Sequence, residues 1–174
     1  MAEEHRPGSW IHWDDEKRRA FIARLNDRLP TKRVIAQGVL RNERGEVLLC
    51  QLTYKTEWDL PGGVVDQGES PADCVEREVR EELGVDLCAG ELLTTSWLPP
   101  YRGWDDAVIF LFDLGRVEAR FADDLRLQAR EIVAVHWCDP ETIDERTAPY
   151  AARLIHAATS TAPRYLENGA DRPT

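Results

Sequence analysis

The sequence contains no long apolar segment. None of its apolar runs approaches the roughly 20 residues that a transmembrane helix needs. The N-terminal stretch MAEEHRPGSW is acidic and polar, so it does not resemble a signal peptide. Internal repeats and low-complexity linkers are also absent. These features predict a soluble protein without a membrane partner, and we expect it in the cytoplasm.

Cysteine and histidine are scarce. The 4 cysteines form no CxxC pair, and none of the 4 histidines lies at a zinc-ligand spacing beside a cysteine. Three of the cysteines lie in apolar surroundings, as the stretch VLLCQL around Cys50 shows. The pattern argues against a zinc site and predicts buried, reduced thiols.

Basic residues are outnumbered. The chain has 22 Lys and Arg against 32 Asp and Glu, a net charge of −10. A protein that binds a nucleic acid polymer needs the opposite sign, so we expect no such partner. An acidic protein can still bind a small phosphate compound if a cation lies between them.

The pattern of apolar residues and turn signals predicts both helices and strands. We expect helices at 14–26, 70–83 and 148–158 and a short helix from Pro140; the expected strands are 32–41, 46–53, 87–97, 105–114 and 130–138. Pro61 and the two glycines of WDLPGG should interrupt any regular element there. Because strands and helices do not alternate strictly, the fold class is α+β.

Three segments are expected along the chain. Residues 1–30 form an N-terminal helical extension, in which Trp10 and Trp13 could cap the site or make a dimer contact. Residues 31–160 form the main domain, and residues 161–174 form a flexible C-terminal tail.

Helix 70–83 has clear boundary signals. Ser70 is a favoured N-cap, and Pro71 suits the first helical position because its missing N–H leaves no hydrogen bond unmade. Asp73 can complete a capping box. Gly84 can adopt the left-handed conformation that ends a helix.

Three glutamates of this helix lie on one side, next to its apolar stripe. Glu78 and Glu82 are like charges four residues apart, which costs roughly 0.2–0.5 kcal/mol in an isolated helix. Glu81 lies beside them, one turn from Glu78. A solvated charged face is one interpretation, because neighbouring arginines can pair with the acids. The other is a site for Mg²⁺, which prefers carboxylate oxygens.

The spacing of these residues resembles the motif of the Nudix hydrolases. From Gly63, five residues lead to Glu69, seven more lead to REVREE at 77–82, and LGV follows. This matches Gx5Ex7REUxEExGU, where U is apolar, at every fixed position. The resemblance covers residues 63–85 directly, and WDLPGG before it is also typical of the family.

The resemblance implies a metal site for Mg²⁺, with Mn²⁺ as a substitute. Glu78, Glu81 and Glu82 resemble the family's metal-binding residues. The resemblance implies that Glu81 and Glu82 are also catalytic. The carbonyl oxygen of Gly62 looks like a further metal ligand. Gly62 suits this role because a backbone oxygen without a neighbouring Cβ can approach a metal closely.

The family also implies residues that support this site. Gly63 belongs to the double glycine, and Arg77 and Glu69 look like a pair that fixes the loop against the helix. In this family a general base or extra ligand often lies on a late loop. Glu131, before a late strand, is the candidate, although a surface role is equally open. Asp123 and Asp124 are the fallback.

The resemblance implies a Nudix-type α/β/α sandwich with a mixed central sheet. It also implies hydrolysis of the diphosphate linkage in a nucleoside diphosphate joined to another group, such as ADP-ribose, another sugar nucleotide, a nucleoside triphosphate or a dinucleoside polyphosphate. The alternative is a non-catalytic nucleotide-binding sensor of the same fold, and prenyl diphosphate isomerisation is a weaker rival. A homodimer is common in the family.

Aromatic residues suggest substrate contacts. Trp58 could stack on a base or pack in the core. Tyr101, Arg102 and Trp104 lie in the segment WLPPYRGWDD and could hold a base, a ribose or a terminal phosphate. The prolines of that segment loosely resemble the ADP-ribose-cleaving subgroup.

Overall fold

The computed structural model describes residues 14–159 and 164–172. The chain divides into two compact units, residues 1–31 and 32–174, which are taken separately. The expectations for Trp10, Trp13 and residues 161–163 fall outside the described residues. Within the described part of the chain, no helix is both long enough and apolar enough to cross a bilayer.

The described residues of the first unit, 14–31, contain one helix, α1 (Asp15–Asn26). Asp14 caps its N-terminus by accepting the Lys17 N–H at 2.8 Å. The helix ends before Pro30, as its sequence predicts. Two apolar residues of this helix, Ile22 and Leu25, are 47% and 42% exposed.

The second unit is a mixed sheet with three helices. The strands are β1 (Arg33–Asn42), β2 (Val47–Leu52), β3 (Gly62–Val64), β4 (Leu92–Leu98), β5 (Ala107–Val117), β6 (Ile132–Cys138) and β7 (Arg164–Glu167). The helices are α2 (Pro71–Leu83), α3 (Pro140–Arg146) and α4 (Pro149–Ala157). The strand order is β6-β2-β1-β5-β4-β7, and β3 pairs with β1. The pairs β1–β5 and β4–β7 are parallel and the others are antiparallel, which confirms the mixed α+β fold.

Successive side chains of β1 point to opposite faces of the sheet, and each face is covered. Ala36 and Leu40 belong to a buried cluster that includes Val79 of α2. Val39 belongs to the opposite cluster, which includes Leu154 of α4. The sheet therefore lies between α2 and the pair α3 and α4, which is the predicted α/β/α sandwich.

The prediction that Pro61 and the two glycines break regular structure is wrong for Gly62 and Gly63. They form β3, antiparallel to β1, with Gly62 opposite Gln37 and Gly63 opposite Ala36. Gly62 has φ +134°, and a Cβ there would lie 2.3 Å from the Ala36 carbonyl oxygen. Because Gly62 has no Cβ, β3 can pair closely with β1 at the point where the sequence predicted an interruption of regular structure.

One strand boundary and one short helix also differ from the sequence prediction. β4 begins at Leu92, so residues 87–91 are not a strand, and Cys88 among them is exposed rather than buried. The other cysteines, Cys50, Cys74 and Cys138, are buried and unpaired as predicted. A short 3₁₀ helix at Ala119–Asp124 was not predicted.

The prediction of a flexible tail is wrong for residues 164–167, which form β7 along the edge of β4. Leu166 is only 1% exposed. Thr94 Oγ1 donates to the Arg164 carbonyl at 2.8 Å, and the Asn168 N–H donates to the Trp97 carbonyl at 2.8 Å. One apolar residue in a polar stretch gives a weak sequence signal, because the partner strand is distant in sequence.

Replacing Leu166 by alanine should lower the free energy of unfolding by roughly 2–5 kcal/mol, because it opens a cavity in the core. The matched control is Tyr165→Ala next to it, where the side chain is 54% exposed, and its effect should stay within about 0.5 kcal/mol. Urea unfolding measures both. Equal, small effects would show that β7 does not belong to the core.

Candidate active site

Helix α2 begins and ends where its sequence predicts. The Ser70 hydroxyl accepts the Asp73 N–H at 3.1 Å and donates to the Asp73 carboxylate at 2.6 Å. Gly84 has φ +71° and donates its N–H to the Arg80 carbonyl at 3.1 Å. These caps fix the rotation of α2, and so fix which of its side chains face the sheet.

The apolar face of α2 draws its acidic residues toward the sheet. Val75, Val79 and Leu83 are fully buried. Glu82 lies next to this stripe and is only 5% exposed. Glu78 is half-buried and Glu81 is exposed. The three glutamates therefore run from the interior to the surface along one side of the helix.

The two glycines of β3 meet the carboxylates of α2. The Gly62 N–H donates to Glu82 Oε2 at 2.9 Å. A Cβ on Gly63 would lie 2.4 Å from Glu78 Oε1. Since no side chain occupies that space, the backbone of β3 and the two carboxylates lie in direct contact.

Arg77 connects the loop before α2 to the glutamates. Its guanidinium donates to both carboxylate oxygens of Glu69, at 2.8 and 3.0 Å. It also donates to Glu78 at 2.8 Å and to Glu81 at 3.3 Å. Hydrogen bonds from Arg77 and from the Asp66 N–H lower the pKa of Glu69 to about 2. This carboxylate therefore stays charged and holds the loop against the helix.

Negative charge is costly at the buried end of the row. Burial, together with the charges of Glu78, Glu131 and Asp59, raises the pKa of Glu82 to about 8, although the hydrogen bond from the Gly62 N–H opposes the shift. Burial also raises the pKa of Glu78, although Arg77 opposes that shift. Without a cation these two carboxylates therefore resist full ionisation.

Glu131 lies near this cluster. It immediately precedes β6, and its carbonyl accepts the Thr53 N–H at 2.9 Å. Its charge acts on the pKa values of both Glu78 and Glu82. The fallback residues Asp123 and Asp124 are exposed, in the 3₁₀ helix.

Asp59 is a site residue that the sequence analysis missed. Its carboxylate accepts from Gln37 Nε2 at 2.9 Å and from Lys55 Nζ at 2.5 Å. Its charge contributes to the raised pKa of Glu82. The available signal was its place in WDLPGG, three residues before Gly62.

Trp58 packs against the protein. Its ring stacks on His136, with ring centroids 4.0 Å apart and an interplanar angle of 8°. The Arg146 guanidinium lies 5.2 Å from the ring centroid. These contacts favour the packing interpretation of Trp58 over an open stacking surface.

Tyr101 and Trp104 flank a tight turn between β4 and β5. Each donates its N–H to the carbonyl of the other, at 3.0 and 2.9 Å. The residues between them, Arg102 and Gly103, have φ +48° and +87°, as a type I′ turn requires. The Tyr101 and Trp104 rings are mostly exposed, whereas Arg102 pairs with Glu57 at 3.3 Å.

No group of three or more Asp, Glu, His or Cys side chains is arranged to hold a metal ion within residues 14–159 and 164–172. The hydrogen bonds above give the physical reason. Glu78 and Glu81 turn toward Arg77, and Glu82 turns toward the Gly62 N–H. Rotation of flexible glutamate side chains would be needed for them to share a ligand.

Comparisons with known proteins agree with this architecture. A family model described as the NUDIX domain matches residues 31–158. The chain is 33% identical over 135 residues to a MutT-like protein of Streptomyces ambofaciens, covering 77% of this chain and 82% of that protein. It is 32% identical over 120 residues to a CTP pyrophosphohydrolase of Escherichia coli (strain K12), covering 65% of this chain and 82% of that protein. The crystal structure of a MutT protein from Methanosarcina mazei Go1 superposes with a TM-score of 0.63 at 28% identity, covering 75% of this chain and 95% of that one.

The raised pKa of Glu82 predicts how stability depends on pH. Between pH 4.5 and about 8 the folded protein binds more protons at Glu82 than the unfolded chain does. In EDTA, the free energy of unfolding should therefore fall as pH rises through this range, by up to about 1.4 kcal/mol per pH unit for one such group.

Glu82→Gln should flatten this slope, because glutamine does not titrate. Glu91→Gln, at an exposed position, should keep the wild-type slope. Urea unfolding at a series of pH values measures the difference. Identical slopes in Glu82→Gln and wild type would contradict the environment described for Glu82.

Proposed function

Because the chain belongs to the Nudix family of hydrolases, which act on acid anhydrides, we propose that it hydrolyses the diphosphate linkage of a nucleoside diphosphate derivative with a bound divalent cation. The observation that carries this proposal is the contact of Gly62 and Gly63 with Glu82 and Glu78. It brings hard oxygen donors together beside a segment of backbone.

The residues present fit a divalent cation such as Mg²⁺. Carboxylate oxygens are the donors that this ion prefers, and Mn²⁺ accepts a similar set. Because Gly63 has no Cβ, the Glu78 carboxylate lies directly against the backbone of β3. The raised pKa values of Glu78 and Glu82 support the fit, because positive charge at this point would favour their ionised forms.

Glu78, Glu81 and Glu82 would hold the cation, together with the carbonyl oxygen of Gly62. When bound, it supplies positive charge that neutralises the substrate's phosphates and lowers the pKa of water. Glu81, the exposed member, can turn toward the cluster because its ion-pair partner within the described residues is Arg77 alone, at 3.3 Å. The acidic row thereby attracts an anionic substrate that the bare protein would repel.

Glu131 is the proposed general base. A water oxygen bonds to one phosphorus of the diphosphate, its proton passes to the Glu131 carboxylate, and the bridging P–O bond breaks so that the other phosphate leaves. The position of Glu131 before β6, where its charge acts on Glu78 and Glu82, supports this role.

Arg77 and Glu69 would position this chemistry without contacting the substrate. Their paired hydrogen bonds hold the loop to α2, and Arg77 also orients Glu78. Loss of either residue would displace the carboxylates, so its first effect should be on cation affinity.

The substrate is a small nucleotide derivative. The turn that carries Tyr101, Arg102 and Trp104 presents aromatic and cationic groups for a base, a ribose or a phosphate. Trp58 lies beside the site and would contribute mainly by packing. The E. coli relative is named for hydrolysis of CTP, which makes nucleoside triphosphates the first compounds to test.

Glu82→Gln should reduce kcat by orders of magnitude while the fold is kept, because it removes the buried carboxylate of the row. The assay measures phosphate release, with and without a coupled phosphatase, from ADP-ribose, sugar nucleotides, triphosphates and dinucleoside polyphosphates. EDTA should abolish wild-type activity, and Mg²⁺ or Mn²⁺ should restore it.

Glu91→Gln is the control for this variant and should keep wild-type turnover, since Glu91 is exposed outside the row. Near-normal turnover by Glu82→Gln, or activity that survives exhaustive chelation, would refute the proposed site. Tight nucleotide binding without turnover of any compound would instead favour a non-catalytic sensor.

Glu131→Gln should slow turnover at least about tenfold, because the attacking water loses its base. The measurement is kcat at saturating substrate and Mg²⁺. Asp123→Asn and Asp124→Asn serve as matched controls and should have little effect. A normal rate in Glu131→Gln, with a slow rate in either aspartate variant, would move the base to the 3₁₀ helix.

A further inference from the structure

Arg33, the first residue of β1, has a buried Nε without a hydrogen-bond partner. Its Nε is the one buried side-chain nitrogen or oxygen that lacks a hydrogen-bond partner among residues 14–159 and 164–172. No carboxylate in that part of the chain forms an ion pair with it. A buried donor without a partner costs free energy, so its retention calls for an acceptor that binds there.

The neighbouring basic residues differ from Arg33 in this respect. Lys32 pairs with Asp106, Arg102 with Glu57 and Lys55 with Asp59. In a chain with a net charge of −10, acidic partners are plentiful. The Arg33 guanidinium lies over the Trp104 ring, whose centroid is 4.6 Å away.

This contact leaves the edge of the guanidinium available. A guanidinium that stacks on an indole presents its N–H groups outward in its own plane. Trp104 is 64% exposed, so the surface beside Arg33 is open. The pair therefore forms an aromatic platform with hydrogen-bond donors along one side.

The platform lies on the face of β1 that packs against α4, where Gln37 contacts Asp59 next to the candidate active site. Arg33 and Gln37 are four positions apart in the strand, so their side chains point to the same face of the sheet. Gln37 pairs with Gly62 in the sheet and donates to Asp59. Four residues along a strand span about 13 Å, so Arg33 lies about that far from Gln37, which pairs with Gly62 of the candidate active site.

Other groups define the surroundings of this platform. Tyr150 of α4 is half-buried, and burial is the main cause of its raised pKa. The charges of Asp59, Lys55 and Arg33 and the Tyr101 phenol also act on this pKa. These groups therefore lie around the same surface between Asp59 and the turn of Tyr101. Aromatic rings and one free cation suit a planar ligand with acceptor atoms.

We infer that Arg33, supported by Trp104, is a specificity-determining residue that reads the acceptor edge of the substrate's nucleobase. This inference rests on the proposed function for the site of hydrolysis. Guanine fits best, because its N7 and O6 are adjacent acceptors on one edge and match the two parallel donors of arginine. The fork of Arg33 binds that edge, and the Trp104 ring under the guanidinium holds the fork in place.

The test compares kcat/KM for dGTP and 7-deaza-dGTP, which differ in the N7 acceptor alone, together with dATP and dCTP. Wild type should prefer dGTP over 7-deaza-dGTP by roughly tenfold to hundredfold, the value of one bidentate contact. Arg33→Gln should bring this ratio close to one. Arg33→Lys keeps the charge without the fork and should also lose most of the preference.

Arg120→Gln is the charge-matched control, since Arg120 is exposed and pairs with Glu118 outside this surface. It should keep the wild-type ratio, and thermal melting should show that all variants fold. An unchanged ratio in Arg33→Gln would overturn the inference. An equal loss for all four nucleotides would also overturn it, because it would place a phosphate, not a base, at Arg33.

Calorimetric binding of GMP and 7-deaza-GMP separates this inference from the proposed function. If wild type hydrolyses no nucleotide but binds GMP more tightly, and Arg33→Gln removes the difference, the inference holds and the proposed function falls. If nucleotides are hydrolysed but neither rates nor affinities depend on N7, the inference falls and the proposed function holds.

Discussion

The contact between β3 and α2 is the constraint on which the site depends. Gly62 lies close to the Ala36 carbonyl with φ +134°, and its N–H reaches Glu82. The absence of a Cβ at Gly63 allows Glu78 to lie against the same backbone. Any larger residue at Gly62 or Gly63 would separate β3 from α2 or displace a carboxylate. The apolar core on both sides of the sheet would instead tolerate substitutions between apolar residues of similar volume.

This contact also has an electrostatic consequence. Packing α2 against the sheet buries Glu82 beside other acids and raises its pKa to about 8. Arg77 compensates part of this charge, since it binds Glu69, Glu78 and Glu81 together. The buried carboxylates therefore lower the free energy of unfolding of the cation-free protein at neutral pH. They are the same groups that would bind a cation. Such local conflict is typical of functional sites.

Much of this arrangement could be predicted from local sequence signals. The caps Ser70 and Gly84, the periodic apolar residues and the motif at 63–85 placed α2 and its row of glutamates within a residue of their observed positions. Long-range pairing could not be predicted in this way. β7 is defined by contact with β4, and Asp59 joins the site through its hydrogen bond from Gln37 of β1, 22 residues away in sequence. Their surroundings, more than their identities, give them a role.

The most direct test of the proposed cation site is Mn²⁺ binding, measured by water-proton relaxation on wild type and on Gly63→Ala. Alanine at this position places a methyl group 2.4 Å from the present position of Glu78 Oε1, so the flexible carboxylate must move while the fold remains. Wild type should bind Mn²⁺, and the variant should bind it at least about tenfold more weakly. Equal affinity in the two proteins, or no binding by wild type, would contradict the role assigned to this contact.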